Sequence, residues 1–436
     1  MGISDIAGRK TFFGISSFQA LAMFRRGMFY SYLSIYLRFY LGLTVTETTF
    51  FASFPMICNI LFQNFVWGRI SDKYQKRRTL IIVGEISAAI STVLVWYVHI
   101  LPGSHHTSGY VIILGMSFVE IFWSMSNVGW SALLSDLYPA DARAGLQGRL
   151  QSVGAMGRFI GVWVGGLLYD GLPIIYEGWG FRSGTLFFIA SAAMLLSTIP
   201  MLFLPEGGAG DSSPNRTTGN PILAFFGIDY SDPASKRFLV FLLAMFFIFF
   251  GLNMVVLLVA QYLTLDTGFD ISSRTLSYVI NTATAAIFIV GLFIGKLSRR
   301  IPDEYLLLVG AGTGIIYEIG FALANSLPVI FVMYFLAGTA QSIIMASSYS
   351  YAARLIPPEK RGKQFAMFNA AMFLSWGLPG TFIAGPLVDR LISLGYSQVF
   401  SYRMAFVAGA LLILFGVIVL RFDIRRNNRS ELDAAV

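Results

Sequence analysis

The chain has 436 residues, 56% of them hydrophobic and only 12% charged, where a soluble globular domain carries about 25% charged residues. That composition excludes a water-soluble globule, because too little polar surface would remain to cover so apolar a core. The net charge of +8 sits in short clusters between long apolar runs, which argues against nucleic-acid binding and fits loops at a membrane surface.

Cys58 is the only cysteine, so neither an intrachain disulfide nor a cysteine-built metal site is expected. A helix crosses about 30 Å of hydrocarbon with roughly 20 apolar residues. In chain order, runs of that kind fall near 12–40, 47–68, 79–101, 109–134, 146–169, 183–204, 238–263, 273–295, 304–325, 327–352, 364–389 and 402–421. The first is too long for a signal-peptide core and is expected to stay as a span. The runs lack strand-like alternation, so the expected class is all-α with twelve transmembrane helices. With the amino end inside, 23 of the 31 Lys and Arg residues fall on inner segments. Only Arg182, Arg274, Arg390 and Arg403 fall on outer loops. That bias predicts both termini on the cytoplasmic side, and the plasma (inner) membrane is the expected location.

Residues 205–237 form the longest polar stretch, with Pro205, Gly207, Gly208, Gly210, Pro214 and Gly219. It reads as a linker between an N-terminal six-helix bundle (1–204) and a C-terminal one (238–436). The halves repeat. Leu137, Pro139, Asp141 and Arg143 recur as Leu355, Pro357, Glu359 and Arg361, displaced by 218 residues. Gly161, Gly166 and Asp170 recur as Gly380, Gly385 and Asp389, displaced by 219. Parallel six-helix repeats are a transporter architecture.

Residues 68–78, GRISDKYQKRR, lie between the second and third spans. Gly68, Asp72, Lys76, Arg77 and Arg78 resemble the loop signature of the major facilitator superfamily, and a degenerate copy, GKLSRRIPDEY, follows the eighth span at 295–305. The resemblance covers essentially the whole chain. It implies two pseudo-symmetric bundles, alternating access, no cofactor, and gating contacts at the inner side through Gly68, Asp72, Arg77, Arg143 and Arg361. Small Gly68 would allow close helix approach, and Asp72 would pair with a cation such as Arg143. Gly157, Gly161 and Gly165 make a stripe on the fifth span that reads first as close packing.

Ionisable side chains inside spans are costly and point to function. Arg25 and Arg26 fall mid-way along the first span, Glu120 in the fourth and Arg158 in the fifth. Ser117, Glu120, Ser124, Asn127 and Ser131 share one helical face, and Tyr32 lies on the Arg25 face of the first span. The resemblance places spans one, four, seven and ten around a central cavity. Two arginines against one cavity glutamate favour an anionic substrate, since guanidinium matches carboxylate and phosphate. Substrate competing with Glu120 for an arginine would free Glu120 to take a proton. Consecutive arginines point about 100° apart, so only one can face straight into a cavity. Asn253, Asn281, Gln341, Asn369 and Trp376 are candidate contacts in the second half. Glu85 and Glu318 read as structural.

No phosphate-cradling loop of the G-x-x-x-x-G-K-[ST] type and no H-E-x-x-H spacing occurs, so neither ATP-driven transport nor enzymatic activity is expected. The expectation is a monomeric carrier of a small organic anion, coupled to protons as symporter or antiporter. Proton-driven multidrug efflux and a transporter-like sensor or scaffold are the alternatives.

Overall fold

A computed structural model describes residues 3–138, 140–208, 233–356 and 361–435; within these, the side chains of 3–10, 140–145, 233–234, 361–363, 366 and 426–435 are not described. Arg143 and Arg361, read above as gating residues, therefore have side chains outside the described residues, and so does most of the linker. The seventh helix begins at Pro233, so residues 233–237 of the stretch read as linker are already helical.

Twelve long helical segments follow one another, with no strand among the described residues. They are α1 (Ile3–Ile35), α2 (Val45–Phe62), α3 (Arg77–His99), α4 (His105–Leu137), α5 (Ala140–Leu168), α6 (Thr185–Leu202), α7 (Pro233–Met254), α8 (Ser273–Leu297), α9 (Asp303–Leu323), α10 (Leu327–Leu355), α11 (Arg361–Leu374) and α12 (Gln398–Ala435). Several continue past these limits. A wide turn at Tyr36–Tyr40 extends α1, Gln63–Trp67 leads α2 on to Tyr74, Val256–Leu263 prolongs α7, and α11 resumes through Gly380–Ala384 into Gly385–Ser393. Nine of the described helices are long and apolar enough to cross a membrane. The other three are α1, α5 and α11, which hold Arg25 and Arg26, Arg158, and the break at 375–377.

Contacts divide the chain into two compact units, residues 1–214 with 271–281, and residues 215–270 with 282–436. In the first unit α3 packs on α4 and α6, and α1 on α5 and α6; in the second α9 packs on α10 and α12, and α7 on α12. The pairings three–four, three–six and one–six thus recur as nine–ten, nine–twelve and seven–twelve. The repeat is not local, however. Gly161 and Gly166 lie in an unbroken α5, whereas their counterparts Gly380 and Gly385 lie in the wide turn of α11 and just after it.

Glycine sets the tightest crossing of the first unit. A Cβ on Gly157 would overlap the carbonyl of Ala20, one on Gly161 that of Phe24, and one on Gly165 would stand 2.5 Å from that of Met28. The stripe is a contact surface against α1, four residues per rung on each helix. Gly161→Ala is expected to destabilise the first unit by about 1–3 kcal/mol through overpacking, read as a fall in melting temperature of the purified protein. An unchanged melting temperature would contradict the crossing. Gly68 behaves differently from its expected role. Among the described residues beyond its own chain neighbours, the Gln63 carbonyl is the one atom an added Cβ would crowd, at 3.0 Å, so the position accommodates the wide turn of its own helix.

Candidate functional site

The buried polar centre of the first unit lies where α1, α3 and α4 meet. A Cβ on Gly84 would stand 2.8 Å from the Phe122 carbonyl and the Ser126 amide, so α3 and α4 approach almost backbone to backbone. The next residue, Glu85, thereby reaches across α4. Its Oε1 accepts from Trp123 Nε1 at 3.0 Å and Ser126 Oγ at 2.8 Å. Its Oε2 lies 3.6 Å from Arg25 Nη1, with both side chains at most 3% exposed. The Arg25 guanidinium also covers the Trp123 ring, 3.7 Å from its centroid, a contact that stabilises a desolvated cation.

Arg26 shares the Trp123 ring at 4.3 Å but, unlike Arg25, forms no ion pair within 4.0 Å among the described residues. It is half-buried. Glu120 does not bond to either arginine; its Oε1 accepts from Asn59 Nδ2 at 2.7 Å, while both arginines remain within Coulombic reach. Tyr30 stacks against Phe51 at 5.4 Å and against Trp123 at 6.3 Å. The centre therefore consists of one ion pair, one cation with no ion pair within 4.0 Å among the described residues, one amide-bound carboxyl and a row of three aromatic rings.

Of the two arginines weighed against Glu120, Arg25 is paired instead with Glu85, in keeping with a structural role for that glutamate. Its partners are all on α1 and α4, and sequence spacing on α3 alone carries no sign of them. The polar face of α4 is also less open than its periodicity suggests. Ser117 and Ser124 donate to the carbonyls of Ile113 and Ile121 in their own helix, both at 2.7 Å, leaving Glu120, half-buried Asn127 and exposed Ser131 on that stripe. Tyr32 is fully buried and donates to the Val162 carbonyl at 2.7 Å. Arg158 is exposed on α5.

The remaining candidates are spread out. Asn281 is buried in the first unit and donates to the Phe159 carbonyl at 3.1 Å. In the second unit, Asn253 bridges the Phe249 carbonyl and Ser375 Oγ, tying α7 to α11. Gln341, Asn369 and Trp376 lie on the exposed surface of that unit, outside its core.

At the 68–78 loop, Gln75 takes a left-handed turn (φ +54°), so α2 ends and α3 begins at Arg77. Arg77 bonds the carbonyl and hydroxyl of Ser71 and donates to Gln75 Oε1 at 2.9 Å. It lies 3.5 Å from Asp136 and 3.8 Å from Asp72, whose side chain is 79% exposed. Asp136 is the better-shielded partner, and no motif in the sequence singles it out. The reason is again a glycine: a Cβ on Gly129 would stand 2.7 Å from the Arg77 carbonyl, which draws the start of α3 onto α4 and brings the end of α4 beside the loop. Asp136 also accepts from the Gly208 amide at 2.9 Å, and Glu206 holds Arg78 and the Thr79 amide.

Just past α5, Asp170 accepts from Ser273 Oγ at 2.7 Å, and the same hydroxyl lies 2.8 Å from the Gly166 carbonyl. Burial pushes the Asp170 carboxyl up from the usual range, opposed in part by Ser273 and the nearby Gly178 amide. A raised carboxyl favours this arrangement most below its unfolded value, and the benefit is lost as pH rises through the folded value. Asp170→Asn cannot ionise. Its melting temperature is thus expected to gain on the wild type as pH rises from acid to neutral. A constant difference across that range would contradict the assignment.

The fold, with nine described helices long and apolar enough to cross a bilayer, defines a multi-pass α-helical membrane protein. Residues 15–381 match the Major Facilitator Superfamily, and the chain belongs to that family. It is 26% identical over 391 residues to the MFS-type transporter YxiO of Bacillus subtilis strain 168, covering 86% of this chain and 84% of that one. It is 22% identical over 388 residues to a Deinococcus radiodurans protein named as a sugar efflux transporter, covering 88% and 90%. Among solved structures, the chain is similar in fold to a bacterial homologue of the human lysosomal transporter Spinster, with a TM-score of 0.73 at 17% identity, covering 97% and 98%. It is also similar to the nucleoside transporter NupG, with a TM-score of 0.72 at 12% identity, covering 95% and 99%.

Proposed function

We propose that the protein is a secondary carrier of a small organic anion, monomeric and proton-coupled, with both termini on the cytoplasmic side of the plasma membrane. The observation that carries the anion reading is Arg26, half-buried beside Trp123 with no ion pair within 4.0 Å among the described residues. A guanidinium inside a span demands compensation, and Arg25 already has Glu85. A carboxylate or phosphate ester on the substrate would supply it bidentately, with its carbon skeleton against the Tyr30 and Trp123 rings. Glu120, released from the field of Arg26 when substrate neutralises it, is the group that would take up the proton.

The row of Trp123, Tyr30 and Phe51 supports a second reading, a neutral sugar stacked on aromatic faces, in keeping with the name of the Deinococcus radiodurans relative. A thermal-shift panel of carboxylates, sugar phosphates, neutral sugars, nucleosides and lipophilic cations separates these. A ligand at 100 times its dissociation constant stabilises the folded state by about 2.7 kcal/mol. Stabilisation by anions alone supports the first reading. A response confined to neutral sugars supports the second, and one confined to lipophilic cations points to multidrug efflux.

A further inference from the structure

The two units each enclose a fully buried glutamate, and the two are treated in opposite ways. Glu85 in the first has a cation, an indole N–H and a hydroxyl. Glu318 in the second, on α9, is 0% exposed, and neither carboxyl oxygen has a hydrogen-bond partner among the described residues. It makes no ion pair there either.

Its surroundings explain how it comes to be enclosed. Helices α7 and α12 cross at glycines: a Cβ on Gly251 would stand 2.5 Å from the Gly409 carbonyl, and one on Gly416 2.7 Å from that of Ala244. The Glu318 carboxyl is turned onto that crossing. A Cβ on Gly409 would be 3.3 Å from Glu318 Cδ and 3.4 Å from Oε2. Leu252 and Ile413 close over the neighbouring Gly314 on α9. Lys236 of α7 and Arg421 and Arg425 of α12 are exposed, Arg354 of α10 pairs with Asp303 and Glu304 at the start of α9, and the other described charged groups of the packed elements are engaged elsewhere. On α12, Arg403 bonds Tyr262, the Ala324 carbonyl and Asn325, and Asp423 pairs with Arg237 of α7. Among the described residues, Tyr317, beside Glu318 on α9, lies within its electrostatic reach and carries no positive charge.

An ionised carboxylate in such a place would have neither solvent nor counter-charge, a cost that buried groups avoid by holding a proton. We propose that Glu318 is a proton-binding site enclosed by α7, α9 and α12, occupied in this arrangement and emptied when α9 shifts off the glycine crossing and water reaches the carboxyl. The site's existence stands on the geometry of the second unit; only its use as a coupling site rests on the carrier reading.

Infrared spectroscopy of the purified protein at neutral pH tests it. The wild type is expected to show the carbonyl-stretch band of an unionised carboxylic acid, shifted on transfer to D2O. Glu318→Gln, matched in elution and melting behaviour, is expected to lose the Glu318 part of that band. Glu318→Leu fills the same apolar space and serves if the glutamine variant does not fold. Absence of the band in the wild type, or its full retention in the folded variant, would overturn the proposal. Because no substrate is present, that failure would leave the Arg26 reading untouched. Conversely, a panel in which no anion binds would leave the Glu318 band in place.

Discussion

Glu85→Ala is expected to destabilise the first unit by about 3–5 kcal/mol, the usual cost of stranding one member of a buried ion pair. The substitution removes the counter-charge of Arg25, which is 2% exposed, and also the acceptor for Trp123 Nε1 and Ser126 Oγ. None of the three guanidinium nitrogens of Arg25 has a hydrogen bond among the described residues, so Glu85 and the Trp123 ring are its main compensation. The pair itself need not be stabilising relative to apolar residues of similar size, because desolvating two charges offsets their attraction. The double variant Arg25→Met with Glu85→Leu should therefore recover the part of the loss that comes from stranding Arg25, while Trp123 Nε1 and Ser126 Oγ remain without that acceptor. Denaturation of the single and double variants in detergent measures both terms. A single variant within about 0.5 kcal/mol of the wild type, the size of an ordinary surface effect, would show that Arg25 is not bound to Glu85 as described.

The second large effect concerns ligand binding. Arg26→Ala should weaken the anion found in the thermal-shift panel by about 10- to 100-fold, corresponding to a hydrogen bond to a charged group of about 1.5–3 kcal/mol. Arg26→Lys should fall between, since an ammonium keeps the charge but loses the bidentate fork. The unliganded stability of Arg26→Ala should change little, because Arg26 is half-buried and has no ion pair to break among the described residues. That contrast with Glu85→Ala separates a substrate cation from a structural one. Equal binding by wild type and Arg26→Ala would transfer the role to another cation, with exposed Arg158 next in line.

What the sequence discloses and what it withholds follow from the range of the forces involved. Apolar run length is a local property, so the twelve segments are legible with their places nearly right: the run 47–68 falls where the helix spans Val45–Tyr74, and 364–389 where it spans Arg361–Ser393 in pieces. The fifth-span glycine stripe is legible too, as close packing, because one face of one helix carries it. The partner of Arg25 is not. Whether Glu85 or Glu120 meets that arginine depends on how closely α3 and α4 approach, which Gly84 decides in three dimensions. Asp136 is hidden for the same reason, through Gly129. The serines of α4 mislead because a hydroxyl within a helix can satisfy itself on the carbonyl three or four residues back, so a polar stripe in sequence is not always polar in space.

If Arg26 binds the anion that the protein carries across the membrane, transport depends on that side chain. Uptake of the panel's strongest anion into proteoliposomes, by wild type and by Arg26→Ala reconstituted at equal density, tests it most directly. Saturable uptake by the wild type and its loss in Arg26→Ala are expected. Uptake by the variant with unchanged KM, or binding by the wild type with no uptake at all, would contradict it, the latter result fitting a sensor built on a carrier fold.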